Sequence, residues 1–489
     1  MAGGNWSTTD MPSLPGFYMN FVAAALSAIE PGARGTVILP VKAHWGPDKE
    51  FVEVGSESAL LDLYTADETA NATAYTTIRL ALLAQPKRVL AYRMVDSAAA
   101  VASKTLQDTA STPANVLQID ATYKGARGNA FNLSIAANLL DASKKDIKLY
   151  EGSTLLRTFT FASGTVAAAV DAINSDAGNV WITATKLADG NGTLANVTNS
   201  ALAGGNSGIS GLANTDYIAA LSAFETQDFH VLALDGVTDA ALRTSVISWI
   251  KRVRSEGKGV MAALGGSSAE DTGATAVSTA LARSASIDFE GIINVGVGGV
   301  LDGVSYNSAQ ISAWVAGLVA GSALNGSTTY AASPFEDVTR RWTRSEQEAA
   351  VKGGVFLLIH DGRKVKVLRG INSLITLREG QNRGWKKIRK IRVLDQINAD
   401  LQQTAEDNYI GKVNNTEEGR LALIGAGKEY LRSLATEGVI EATGFDVTLD
   451  PRYYGSAPAL TPDDDQVFLT WTADDTDVME QIFGTFTVQ

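Results

Sequence analysis

Between residues 217 and 324 short apolar runs alternate with segments that place an apolar residue at every third or fourth position. Phe229-His-Val-Leu-Ala-Leu234 reads as a buried strand and residues 238–256 as a helix with Gly257 in the C′ position. Residues 259–264 and 291–295 read as further strands, 274–283 and 311–318 as helices. Alternation over this length indicates a parallel or mixed sheet with helices packed on it. Upstream, residues 36–41, 51–54 and 88–93 read as strands and 73–84 as a helix, a smaller α/β unit. Pro40 inside the first of these predicts an edge position or a bulge. A chain of 489 residues exceeds one ordinary core, so two to four domains are expected.

From residue 96 to 215 the composition shifts to Ala, Ser, Thr, Asn and Gly. Strand patterns at 116–123, 131–137, 147–150, 155–161 and 180–185, a helix at 166–173 and a Gly204-Gly-Asn-Ser-Gly208 linker predict a β-rich insertion with its ends close together. No role is assigned to the Ser/Thr-rich stretch 183–207. Further on, Ser345 with Glu348 has the spacing of a capping box, and Asp361-Gly362 predicts a hairpin between 355–359 and 364–368. Ile388, Ile391, Leu394, Ile397, Leu401 and Ala405 share a helix face, while 386–390 fit either the helix or a strand leading into it. A second helix is expected over 417–437, with Thr416 as N-cap and Gly438 beyond its end. Gly425 and Gly427 inside it each cost roughly 1 kcal/mol relative to Ala, which predicts another backbone packed there. Strands are expected at 445–449 and 467–471.

The segment Ile482-Phe483-Gly484-Thr485-Phe486-Thr487-Val488 sets Phe486 and Val488 against Thr485 and Thr487, the alternation of a half-buried strand. Such a strand needs an edge, and the expectation is an edge supplied by a neighbouring copy. The fold class expected is multidomain, α+β and α/β: a mixed-sheet α/β core, a β-rich inserted domain and a C-terminal α+β domain whose terminal strands pair with neighbouring subunits. The expected divisions are an N-terminal arm (1–35), the first part of the core (36–95), the insertion (96–215), the second part of the core (216–345), the C-terminal domain (346–480) and an arm strand (481–489).

A net charge of −12 argues against nucleic acid as the main partner. With no cysteine and three separated histidines, thiol chemistry and a zinc site are disfavoured. No secretion signal is expected at the N-terminus, and the longest apolar stretch, 311–324, is shorter than the ~20 residues that span a bilayer. Gly425-Ala-Gly-Lys428 lacks the first glycine and the hydroxyl of a phosphate-binding loop, and Gly296-Val-Gly-Gly299 lacks the third glycine of a dinucleotide turn. The acids at 463–465 and 474–477 lack calcium-loop spacing and read as solvated turns. No catalytic constellation, metal or cofactor is predicted. The dense cationic stretch Lys386, Lys387, Arg389, Lys390 and Arg392 reads either as a solvated helix face or as a docking site for an acidic partner surface. An alternative reading is a glycosidase-like α/β enzyme with a carbohydrate-binding β insertion, for which Asp235 and Glu290 are the nearest carboxylates. A surface adhesin is disfavoured by the missing export signal.

Several segments resemble the contractile tail sheath family of bacteriophages and phage-tail-like bacteriocins. They are Pro15-Gly-Phe-Tyr18, Gly35-Thr-Val-Ile-Leu-Pro-Val41 with His44-Trp-Gly-Pro47, and Tyr123-Lys-Gly-Ala-Arg-Gly-Asn129. The basic entry at 389–397, Lys428-Glu-Tyr-Leu-Arg432, Glu437-Gly-Val-Ile440 and Met479-Glu-Gln-Ile-Phe-Gly-Thr-Phe-Thr-Val-Gln489 follow in the family's order. The resemblance implies a non-enzymatic building block of hexameric rings stacked as a helical polymer around an inner tail tube. It implies baseplate and tail terminator partners, no cofactor, no nucleic acid and no membrane insertion. The place of work would be a virion or phage-tail-like particle assembled in the host cytoplasm. Subunits would be joined by an N-terminal arm (Gly16, Phe17, Tyr18, Met19, Asn20, Phe21) and the C-terminal arm Ile482 to Val488. Contraction would draw on a metastable extended state, without nucleotide hydrolysis.

Overall fold

Seven strands form the central sheet, in the order Val355–Phe356, Ile292–Val295, Met261–Leu264, Val231–Ala233, Thr36–Val41, Arg88–Arg93, Phe51–Glu53. All neighbours are parallel except the last pair, so the sheet is mixed, as expected. This is a computed structural model, and it describes residues 3–4, 17–18, 35–163 and 165–487. The sheet belongs to the larger of two units, Ala33–Gln396 with Val478–Gln489; the smaller comprises Met1–Gly32 and Ile397–Asp477.

Both faces of the sheet are covered. On Thr36–Val41, Val37, Leu39 and Val41 join one apolar layer and Ile38 the other, the alternation of a pleated strand. Helix Ser308–Gly321 is buried on nearly every side, with Trp314 1% exposed. A Cβ on Gly317 would lie 2.5 Å from the Ala81 carbonyl, so the glycine lets this helix approach Ala74–Leu83 closely. The apolar stretch is thus a layer helix, and among the described residues no helix is long and apolar enough to cross a membrane. Pro40 sits in an interior strand, contrary to expectation. Pairing with Val231–Ala233 ends at Ile38, so Pro40 is paired on one side only and its missing N–H breaks no ladder.

The insertion is a sandwich of two antiparallel sheets with helix Val166–Asn174. One sheet runs Thr154–Ala162, Lys144–Glu151, Phe131–Ala137, Val197–Ala201, and the other Ile182–Lys186, Asn115–Ala121, Ser103–Gln107. Phe131, Leu133, Ile147, Leu149 and Phe159 meet Leu117, Ile119 and Ile182 in its core. The glycine-rich linker is fastened: Gly205 N–H donates to Asn129 Oδ1, and Asn129 Nδ2 returns a bond to the Gly205 carbonyl, both at 2.8 Å.

Arg93, fully buried, joins core to insertion. It donates to the carbonyls of Ala43 (3.0 Å), Gly46 (2.6 Å), Lys124 (2.8 Å) and Ser207 (3.3 Å). Burial lowers its pKa to about 10, which leaves it charged at neutral pH. His44 bridges Ser207 Oγ and the Thr69 carbonyl, and Trp45 enters the sandwich core edge-on to Tyr123 and Phe131. Gly125, at φ +147°, would place a Cβ 1.8 Å from the His44 carbonyl, so the two quoted motifs meet at a contact that only glycine permits.

Further along the larger unit, helix Arg344–Lys352 is capped by Thr343 with Glu346, two residues before the predicted box. Thr343 accepts from the Glu346 N–H, a bond that Ser345, already inside the helix, does not make. Leu358–His360 and Val365–Val367 form the expected hairpin, with Gly362 at φ +95°. In the smaller unit, helix Glu417–Thr436 has Thr416 as N-cap and Gly438 at φ +71°, and Asp446–Leu449 pairs with Leu469–Thr472. The two helix glycines differ. A Cβ on Gly427 would meet the Trp471 ring at 2.6 Å, whereas nothing lies within 4 Å of one on Gly425. What packs on the helix at Gly427 is an indole, not a backbone. Gly425→Ala is therefore expected to raise the smaller unit's stability by about 1 kcal/mol, the ordinary helix propensity gain. Gly427→Ala should lower it by displacing Trp471, and chemical denaturation followed by Trp fluorescence separates the two.

Candidate functional site

Open α/β sheets bind ligands beyond the C-terminal ends of their strands, where the strand order reverses. Here that point lies between Thr36–Val41 and Val231–Ala233, and it is filled. The Asp235 side chain has no exposed surface; it pairs with Lys42 Nζ at 3.1 Å and accepts from Thr73 Oγ1 and Tyr217 OH, each at 2.8 Å. Burial and the neighbouring Asp235 carboxylate push the Tyr217 phenol well above its ordinary value, so it stays a donor. Glu290 precedes strand Ile292–Val295 and so lies at the opposite, N-terminal edge of the same parallel sheet. The two carboxylates of the enzyme alternative therefore do not face one reaction centre. The glycines at 296–299 lead into strand Gly299–Leu301 rather than a helix N-terminus, and Gly425 to Lys428 lie inside helix Glu417–Thr436.

The basic stretch does not form one exposed face. A single 3₁₀ turn, Arg383–Lys386, precedes helix Ile388–Thr404, which settles the open choice between helix and strand. Arg389 and Arg392 are 4% and 5% exposed. Arg392 donates to the carbonyls of Ser322 at 2.5 Å and Ala320 at 3.4 Å, at the C-terminal end of helix Ser308–Gly321, where a cation complements the helix dipole. Asp395 is likewise buried and takes a two-pronged contact from Arg254 at 2.8 and 2.9 Å. Leu394, expected on the apolar face, is 37% exposed instead. Lys386 Nζ donates to the Ile375 carbonyl, Lys387 pairs with Glu480 at 3.2 Å, and Lys390 is half-buried.

Of the predicted N-terminal arm, Phe17–Tyr18 pairs in parallel with Gly3–Gly4; Gly16, Met19, Asn20 and Phe21 lie outside the described residues, as does Val488 of the other arm. Residues 482–487 form no strand within the single chain. Ile482, Phe483 and Phe486 are 84%, 89% and 89% exposed. Just before them Glu480 is held fast: Thr329 Oγ1 donates to it at 2.7 Å, Ser327 Oγ at 3.2 Å and Arg369 Nε at 3.0 Å, beside the Lys387 pair. Burial pushes its carboxyl up, but the Thr329 hydroxyl and the Lys387 and Arg369 cations outweigh this and hold it below the usual range. A groove of about 480 Å³, lined by Tyr330, Val351 and Leu368 among others, borders Glu480 and Gln481. The sequence reading passed over Glu480 as a site. The available signal was that it is the sole charge between residues 478 and 489.

Three family models match consecutive parts of the chain: phage tail sheath protein beta-sandwich domain over residues 95–207, phage tail sheath protein central domain over 210–373, and phage tail sheath C-terminal domain over 380–489. The phage-like element PBSX protein XkdK of Bacillus subtilis (strain 168) is 29% identical over 470 residues, 91% of this chain and 92% of that protein. The sheath tail protein of Desulfitobacterium hafniense, 27% identical, has a similar structure with a TM-score of 0.68, covering 94% of this chain and 100% of its own. The contracted helical sheath of the anti-feeding prophage shares the fold at 13% identity, with a TM-score of 0.57 and coverage of 98% and 100%.

A buried carboxyl at the crest of the sheet yields a pH signature. Asp271, 1% exposed, accepts from the Ser308 N–H and hydroxyl at 2.5 and 2.6 Å, near Glu270, Arg283 and Arg243. Burial raises it to about 6, against the lowering by Ser308 and Arg283. Its folded value lies above its unfolded one, so the fold binds this proton more tightly and loses stability as pH rises from about 4 to about 6. Asp271→Asn should remove that loss. The wild-type-minus-variant stability in urea is expected to fall by on the order of 2 kcal/mol between pH 4 and 7.

Proposed function

The chain belongs to the phage tail sheath protein family, and on that premise we propose that it polymerises around an inner tube and contracts to drive the tube through a target cell envelope. The observation that carries the proposal is the tail: three large apolar side chains, Ile482, Phe483 and Phe486, stand in water beyond a firmly held root. A segment with this alternation completes a sheet only when another edge is offered, and in a polymer a second copy offers one. Six residues of added strand span about 20 Å and bring roughly four to six backbone hydrogen bonds, each worth ~1 kcal/mol net.

In this reading residues 1–35 and 481–489 are arms between subunits, and residues 36–480 supply the bodies that shift as rigid units when the sheath shortens. The assembly is a helical polymer of hexameric rings in a virion or phage-tail-like particle, with the inner tail tube, baseplate and tail terminator proteins as partners. Similarity to a phage-like element protein, and a fold shared with the contracted sheath of the anti-feeding prophage, support this setting. The filled crevice at Asp235 accords with a machine that stores its energy in contacts between subunits. Tube contact is assigned to Lys386 and Lys390, which are half-buried, whereas Arg389 and Arg392 are buried; Lys387, half-buried as well, pairs with Glu480.

Deleting residues 482–489 is expected to leave a folded, dispersed subunit that forms no striated cylinders by negative-stain microscopy; cylinders of normal length would refute the arm. The double variant Lys386→Glu, Lys390→Glu should weaken co-sedimentation with inner tubes by roughly tenfold, as the loss of two surface charge contacts allows. Sheath self-assembly should change less, and unchanged tube binding would remove these lysines from the interface.

A further inference from the structure

The chain enters its last segment from the smaller unit, which ends at Asp477, and rejoins the larger one at Val478. What fixes it there is Glu480. Its side chain is 6% exposed, although the residues that follow are almost fully exposed. Its four partners come from three stretches of the larger unit. Ser327 and Thr329 lie after helix Ser308–Gly321, Arg369 follows hairpin strand Val365–Val367, and Lys387 immediately precedes helix Ile388–Thr404. Thr329 Oγ1 is itself positioned by the Gly370 N–H, which donates to it at 2.9 Å. Both carboxylate oxygens are thus occupied, one by hydroxyls and one by cations, in a geometry set by well-packed elements. A carboxylate so enclosed is costly to expose singly, because two hydroxyl and two cation contacts are given up together.

We propose that Glu480 is the anchor through which a second copy of this chain, gripping the tail beyond it, is coupled directly to the larger unit. The inference rests on the reading of residues 481–489 as an arm between subunits. Without the anchor, the tail would lose two hydroxyl and two cation contacts that tie it to the larger unit. With it, a pull on Ile482 or Phe483 passes to Glu480 and then into Arg369, Lys387 and the 327–329 loop, bypassing residues 397–477. The anchor also holds the root of the tail still, so fewer residues remain to be ordered when a neighbour binds.

The test compares the full chain, a chain truncated after Glu480, and Glu480→Gln, each by sedimentation over a concentration series. The truncated chain should not assemble. Glu480→Gln should melt as the full chain does, exchange its amides faster across residues 478–481 in the dispersed state, and need about tenfold more protein to polymerise. If the truncated chain does not assemble while Glu480→Gln polymerises at the full chain's concentration, the anchor is overturned and the arm stands. If the truncated chain assembles normally, the arm is overturned and the anchor with it. Should Glu480→Gln not fold, Thr329→Val carries the same comparison, because it removes the 2.7 Å bond and keeps the cations; a several-fold rise supports the anchor and no change overturns it.

Discussion

A guanidinium out of reach of water ties together segments as far as 114 residues apart in the chain. Arg93 closes the last strand before the insertion, and its four carbonyl partners lie on the segment after Thr36–Val41, on the Gly125 turn and on the return linker. Desolvating that charge is tolerable only with its donors answered, and the four carbonyls answer them only if both crossings between core and insertion keep one geometry. The glycine contact with the His44 carbonyl and the reciprocal Asn129–Gly205 bonds enforce the same geometry. A glycine-rich crossing is here the means by which two backbones touch, not a sign of looseness.

The same logic of polar groups satisfied internally explains why a sheet of a ligand-binding type serves a structural protein. Asp235 is consumed by Lys42, Thr73 and Tyr217, and Asp271 by the first turn of helix Ser308–Gly321. These side chains spend their capacity on holding helices to strand ends. Charge is used likewise beyond the sheet, where Arg392 closes a helix C-terminus and Arg254 secures Asp395. An acidic chain with a dense basic run looks from composition alone like a docking surface. Much of that run is internal bracing.

Period and turn chemistry made the architecture legible. The alternation from 229 to 321, the sandwich strands with a buried face, the Asp361-Gly362 hairpin and the Thr416 and Gly438 helix boundaries all rest on local rules that tertiary packing reinforced. What escaped lacked a local signature. Val197–Ala201 has no buried residue and Ser103–Gln107 only Leu106, so as sheet-edge strands they show no alternation. Helix Glu57–Tyr64, capped by Ser56, also went unread. Arg392 and Asp395 are buried against partners distant in sequence, and the role of Glu480 likewise depends on distant residues. Pro40 was misread because the rule for proline concerns pairing at one residue, and pairing on one side stops two residues before it.

Residues 482–487, expected as a strand, form none within the single chain, and the reason is energetic. Ordering the seven residues 481–487 costs about 7–14 kcal/mol in backbone entropy, at 1–2 kcal/mol each. Against this, a full ladder returns about 4–6 kcal/mol and burial of Ile482, Phe483 and Phe486 about 5–9 kcal/mol. The terms nearly cancel even with a partner, and without one only the cost remains, which agrees with three bulky apolar side chains left in water. A contact so finely balanced cannot by itself hold a polymer together. It becomes decisive when the root is already immobile, since every residue ordered beforehand removes 1–2 kcal/mol, roughly a tenfold factor, from the cost of docking. A buried carboxylate at the base of an exposed apolar segment is therefore what physical economy asks of that segment if it is to serve as the proposed arm.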